Sequence, residues 1–168
     1  MSARTEFKVS YDRAIFSRAR RKLADMSLRA QNVAPAWDVF LDWFTDGNRK
    51  QFGSQGRYWR TPWRELRPRT VAQKRRDGWT GDILVREGEL RRAVSDRPMQ
   101  LERLGAHDMS AGTRLHYAGY HHRGAPRANI PRRPLWNARA ITEGGAATSA
   151  VKSWIVSGTP RVSERKAR

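Results

Sequence analysis

The sequence predicts an α+β domain in which N-terminal helices pack on a small antiparallel β-sheet and an extended basic C-terminal segment follows. Three observations lead there. Ile15, Ala19, Leu23, Met26 and Ala30 advance by three or four, which is one stripe of a helix over residues 13–30. Trp37, Phe40, Leu41 and Phe44 fall at i, i+3, i+4 and i+7, a strongly apolar face of a second helix. Leu115, Tyr117 and Gly119 then share one side at period two, so residues 113–120 read as a strand paired with residues 97–105. Two helices beside such a hairpin make two layers around one core.

Taken in order, Phe7, Val9 and Tyr11 alternate and predict a short edge strand, and Asp12 follows as an N-cap. Arg18, Arg20, Arg21 and Lys22 lie mostly off the apolar stripe of the first helix. Pro35 suits the first turn of the second helix, and Gly47 is placed to stop it. Residues 51–68 contain Tyr58, Trp59 and Trp63, too aromatic for a mere solvent spacer. The run 74–77 reads as a helix end or a solvated turn. Ile83, Leu84 and Val85 form a short apolar run before Gly88. Met99 and Leu101 agree in phase while Leu104 does not, which predicts a bulge or strand end, and residues 106–112 read as the hairpin turn. After Leu135 the composition changes. The small residues 142–148 read as a flexible linker, 150–156 as a short apolar segment around Trp154, and 159–168 as a basic tail. The expected organisation is therefore one domain over 1–140 and a linker with tail over 141–168.

Composition bounds the function. Lys and Arg number 34 against 16 Asp and Glu, a formal charge of +18, and Arg supplies most of it. Arg forks bind carboxylates and phosphates at two points, so a polyanionic neighbour is expected, either nucleic acid or an acidic protein surface. With no cysteine, disulfides and Cys-based zinc sites are excluded. No run approaches the ~20 apolar residues of a membrane helix, and the first residues lack a signal peptide's apolar core. Cytosolic synthesis is the expectation.

Residues 115–135 (LHYAGYHHRGAPRANIPRRPL) concentrate the chain's peculiarities, because Gly124, Pro126, Pro131 and Pro134 stop any regular element from continuing. Tyr117-Ala118, then His121, Gly124 and Ile130-Pro131-x-Arg133-Pro134, resemble the signature of phage virion morphogenesis proteins, the tail completion and neck proteins of tailed bacteriophages. Trp63, Leu66, Thr70 and Lys74 are similar to a second segment of that family, and Ile83 to Val85 with Gly88 and Leu90 to a third. The resemblance covers roughly residues 35–136. It implies structural roles for Trp63, Leu66, Thr70, Lys74, Gly88, Leu90, Tyr117, Ala118, His121 and Gly124. It also implies a virion component without enzymatic activity or cofactor, assembled in the host cytoplasm. Such a protein would be a ring subunit at the neck or top of the tail, around the DNA path, with a hexamer among the stoichiometries left open. Its expected neighbours are connector or stopper, tail terminator or tail tube proteins, with nonspecific contact to genomic DNA and no membrane.

The rigid, proline-fixed segment Ile130, Pro131, Arg132, Arg133, Pro134, Leu135 and Trp136 is the expected subunit or partner interface, or else a loop folded back on its own domain. Arg18, Arg20, Arg21, Lys22, Arg123 and Arg127 are the basic residues expected to face DNA or an acidic partner. A stand-alone, sequence-nonspecific nucleic-acid-binding protein is the alternative. A small hydrolase would need His116, His121 and His122. On a strand only His122 shares a face with His116, so no metal or catalytic residue is expected among them.

Overall fold

Asp12 accepts a hydrogen bond from the amide of Ala14 at 2.7 Å and so caps α1, Arg13–Ala30, as its side-chain chemistry predicts. The computed structural model describes residues 12–163; the edge strand expected around Phe7 to Tyr11 and the last residues of the basic tail lie outside that range. No residue of α1 is buried. The helix is held at its far end, where Trp154 Nε1 donates to the carbonyls of Asn32 (2.8 Å) and Arg29 (3.2 Å) and Arg29 Nη1 donates to Ile155 O (3.3 Å).

The organising element is α2, Ala34–Gly53, with Pro35 in its first turn. Phe40, Leu41 and Phe44 are buried on the predicted face. Gly47 does not end the helix. It sits under the Trp59 ring, where an added Cβ would lie 2.3 Å from Trp59 Cζ2, so the missing side chain makes room for an aromatic. Helix α2 therefore runs six residues further and carries Asn48 and Gln51 into the core, both fully buried. Asn48 donates to Val94 O at 2.8 Å and accepts from Trp59 Nε1 at 3.1 Å. Gln51 accepts from the Trp59 amide at 2.8 Å and donates to Pro134 O at 3.1 Å. These two amides fasten residues 54–67 to the helix, and Trp59 and Trp63 are buried as the aromatic loop requires.

Helices α3, Pro68–Arg76, and α4, Glu89–Ser95, follow, and α4 packs on α2. Gly88 precedes α4 with φ +78°, a conformation glycine adopts without strain. The β-sheet is a single antiparallel hairpin, β1 Leu101–Leu104 with β2 Met109–Gly112, with Leu101 opposite Gly112 and Leu104 opposite Met109. Arg97 ties it to α2: Nη1 reaches Asp42 Oδ1 at 2.7 Å, and Nη2 reaches Asp38 Oδ1 at 2.8 Å and Glu102 Oε1 at 2.5 Å. That guanidinium holds the Glu102 carboxyl below its ordinary pKa, against the opposing effect of burial.

The α+β class stands, and its sheet is smaller than expected. Residues 116–120 are helical, not a strand: α5 spans His116–Arg123, with Leu115 as its extended N-cap. Strand β2 ends before them, fully paired with β1, and Thr113 Oγ1 accepts the Leu115 amide at 3.1 Å to turn the chain. Ala118 is buried and Leu115, Tyr117 and His121 half-buried, a helical spacing hidden under the period-two alternation. Phe40 is buried with aromatic neighbours, tilted against Trp43 at 5.6 Å and stacking on Phe44 at 6.3 Å.

Residues 141–157 are not a linker. After α6, Ala138–Glu143, the chain bends at Gly145 (φ +66°) into α7, Ala146–Ser157, which packs on α2 and α1. Ala146 and Ala150 are fully buried, so the small residues read as flexible allow close helix approach. The first residues of the expected tail lie along α7, with the Arg161 amide on Ser153 Oγ (2.7 Å) and the Ser163 amide on Ser149 Oγ (2.9 Å). Folded residues thus extend well past 140. No helix among the described residues is long and apolar enough to cross a membrane.

Candidate functional site

Two adjoining hollows form where α3, α5 and the proline segment meet, and they share a wall of Leu66, Thr70, His121 and Arg133. The first is an apolar cleft of about 560 Å³ between α3, residues 79–90 and α5. Lys74 is among its lining residues. Its stem is buried and its ammonium donates to the carbonyls of Asp82 and Val85, which fixes the irregular turn carrying Ile83 and Val85 into the core. Burial lowers the Lys74 pKa more than neighbouring Asp82 raises it. On the opposite wall Tyr117 Oη donates to Glu89 Oε2 at 2.7 Å; burial first, then Glu89, pushes the phenol up to about 12. Trp79 flanks the cleft with the Arg86 guanidinium 3.9 Å above its ring.

The second hollow, about 580 Å³, is basic. Arg64, Arg67, Arg123 and Arg132 line it with exposed side chains, and Glu65 is the one carboxylate among its lining residues. Its far wall is a closed loop. Gly124 takes φ +81°, an added Cβ there would lie 3.0 Å from the Arg132 amide, and Ala125 and Ile130 exchange backbone hydrogen bonds at 2.9 and 3.0 Å. A 3-10 turn at Pro126–Ala128 presents Arg127 to solvent. Among the described residues the basic set is therefore divided between elements: Arg123 lines the hollow, Arg127 stands on its loop, and Arg18, Arg20, Arg21 and Lys22 are exposed on α1.

The proline segment divides too. Ile130 and Pro131 are half-buried and Arg132 exposed, whereas Arg133, Pro134 and Leu135 are buried within the chain. Arg133 is an internal tether: its amide donates to His121 O at 2.7 Å, and Nε and Nη2 both donate to Arg64 O, at 3.0 and 2.9 Å. Pro134 O accepts from Trp63 Nε1 (2.8 Å) as well as Gln51. Leu135 is fully buried, and Trp136 packs edge-on against Phe44 at 5.8 Å. So Arg133, Pro134 and Leu135 are not available as surface anchors; the loop folds back on its own domain through them.

Comparison with protein-family models, curated proteins and solved structures finds no match to this chain.

The ten residues singled out by motif come from three separated segments, yet seven of them line the apolar cleft: Leu66, Thr70, Lys74, Gly88, Leu90, Tyr117 and His121. Gly124 shapes the basic hollow next to it, and Trp63 and Ala118 are buried. Asn48, Gln51 and Arg97 carry much of the polar wiring and escaped the sequence reading. Asn48 and Gln51 continue the i, i+4, i+7 spacing from Phe44 once Gly47 is not taken as a stop.

The three histidines diverge. On α5, at about 100° per residue, His121 and His122 lie roughly 140° and 120° from His116 around the axis, so His122 does not share His116's face. His122 Nδ1 accepts the Leu135 amide at 3.2 Å and its ring sits 4.7 Å from Trp136. Burial lowers the pKa of both His121 and His122, reinforced by Arg133 for the first and by Arg132 and Arg123 for the second. Burial thus favours the neutral form of both rings. Among the described residues no group of three or more His, Asp or Glu is placed to hold a metal ion.

Proposed function

We propose that this protein is a structural component of a tailed-phage virion, a ring subunit acting in tail completion or head–tail joining at the neck or top of the tail. The observation that carries the reading is the convergence of the motif residues on one cleft. Segments 63–74 and 83–90 are near neighbours in sequence and 117–124 is distant from both, and seven of the ten residues resembling the family pattern meet around one apolar hollow with a basic neighbour. An apolar cleft beside an arginine-lined groove suits protein–protein assembly next to a polyanion. The action is binding and geometry: the cleft receives an apolar anchor of an adjacent subunit, and Arg64, Arg67, Arg123 and Arg132 face carboxylates or the DNA path.

The test is genetic. A phage encoding this chain with the gene interrupted should yield filled heads and separate tails, restored by the intact protein supplied in trans. Normal infectious particles without the protein contradict the reading.

A second reading, a stand-alone nucleic-acid-binding protein, is favoured by the same groove, whose exposed guanidinia suit successive phosphates. Tight, steeply salt-dependent duplex binding by a monomer is its signature.

A further inference from the structure

We propose that the basic hollow is a binding site for a terminal phosphoryl group, the dianionic end of a phosphate monoester, in preference to carboxylates or the diester backbone of a duplex. The wall it shares with the apolar cleft holds a buried charge without a counterion. Arg133 is 7% exposed, yet its guanidinium meets only neutral acceptors: Nε and Nη2 donate to Arg64 O, and Nη2 reaches Glu65 O at 3.4 Å. Nη1 makes no hydrogen bond among the described residues. A planar guanidinium fastened along its Nε–Nη2 edge still has both N–H groups of Nη1 to give. Buried charges in proteins are ordinarily paired. Burial first, then the like charge of Arg64, lowers the Arg133 pKa, the electrostatic mark of a cation crowded by another.

Exposed arginines complete the site. Arg64, Arg67, Arg123 and Arg132 line the same hollow, and among the described residues none of them, nor Arg133, forms an ion pair. Glu65 lines the hollow too and pairs with none of them. Arg97, by contrast, holds three carboxylates. These guanidinia exceed what one carboxylate can use, since it offers two oxygens and a single charge. A terminal phosphoryl group offers three oxygens and a charge of about −1.5 to −2. The hollow, about 580 Å³, has the size of a small-molecule site and is closed on its far side by the loop joining Ala125 to Ile130. Such a concavity admits a free phosphate compound or the end of a strand, whereas the side of a duplex is convex and stays outside it. Phosphoryl binding would name the polyanion left open in the virion reading, and the two fail separately. A chain blind to phosphoryl groups can still be required for joined heads and tails, and the reverse.

The full chain can be titrated with thymidine 5′-monophosphate, with a dithymidine dinucleotide bearing a 5′-hydroxyl, with the same dinucleotide bearing a 5′-phosphate, and with glutarate. At about 100 mM salt, both phosphorylated probes should bind at least about tenfold more tightly than the 5′-hydroxyl dinucleotide and than glutarate. A gain of about threefold or more for the phosphorylated dinucleotide over the monophosphate assigns the site to a strand end, and a smaller difference assigns it to free phosphate compounds. Arg67→Ala with Arg132→Ala should keep the parent's melting temperature and lose at least about tenfold in affinity for both phosphorylated probes. Arg123→Ala, exposed at the end of α5, carries the same test should that pair melt lower. Arg91→Ala with Arg114→Ala removes the same charge outside the lining of both hollows and should leave those affinities within about twofold. The proposal is overturned if neither phosphorylated probe binds at about 1 mM, or if the 5′-hydroxyl dinucleotide or glutarate binds as tightly as they do. It is equally overturned if the Arg91, Arg114 variant loses as much affinity as the hollow variants, which would leave general surface charge only.

Discussion

The proline segment and α1 are both arginine-rich, and the protein treats them in opposite ways. Between His121 and Asn137 the chain is stitched down: Arg133 spans to the Arg64 carbonyl, Pro134 O takes bonds from Gln51 and Trp63, and Asn137 Nδ2 donates to Trp59 O at 3.1 Å. Helix α1 is bonded to α7 through its last turn and has no buried residue. Charge alone therefore says little about exposure. A guanidinium that finds carbonyl acceptors can be buried, while the aliphatic side chains of Ile15 and Leu23 are exposed.

The sharpest way to break this comparison is one residue type in both places. Leu135→Ala empties a fully buried site and should cost about 2–5 kcal/mol, read as a shifted urea midpoint. Arg133→Ala leaves the Arg64 carbonyl without its donor and should cost about 2–3 kcal/mol; a variant melting like the parent would remove the tether from the account.

Acid sharpens the contrast further. The folded-state pKa values of His121 and His122 are lowered from 6.5, so the unfolded chain binds protons more readily there. Their contribution is whole above pH 6.5 and is lost as pH falls below it through the folded values. Urea midpoints should therefore drop between neutral pH and mildly acidic pH, and His122→Gln should flatten that drop. Glu102, lowered from 4.5, adds a further loss only in stronger acid. The smallest effect belongs to α1: Leu23→Ala should change stability by no more than about 0.5 kcal/mol. A loss comparable to that of Leu135→Ala would show that the stripe belongs to the core after all.

Much of this was legible in the sequence where one periodicity dominated. The bounds of α1 and the buried face of α2 follow from apolar spacing, and the burial of Trp59 and Trp63 from aromatic content. The misreadings share a cause: a residue's local preference was outweighed by what it packs against. Gly47 reads as a stop until Trp59 needs its space, and TEGGAAT reads as a linker until Ala146 and Ala150 meet α2. Tyr117 and Gly119 alternate as in a strand, yet Ala118 is the residue that faces inward. For the candidate site, the motif residues were identifiable and their meeting point was not. Exposure was the least legible property, since a stripe records which face is apolar and not whether anything in the same chain covers it.

The claim that this chain acts by assembly is met most directly by electron microscopy of virion necks from a phage that encodes it. The account predicts a closed ring of this subunit at the head–tail junction or the top of the tail, with the groove of Arg64, Arg67, Arg123 and Arg132 against an acidic neighbour or the DNA path. Virions lacking the protein, together with a monomer that binds duplex DNA tightly at physiological salt, would contradict it.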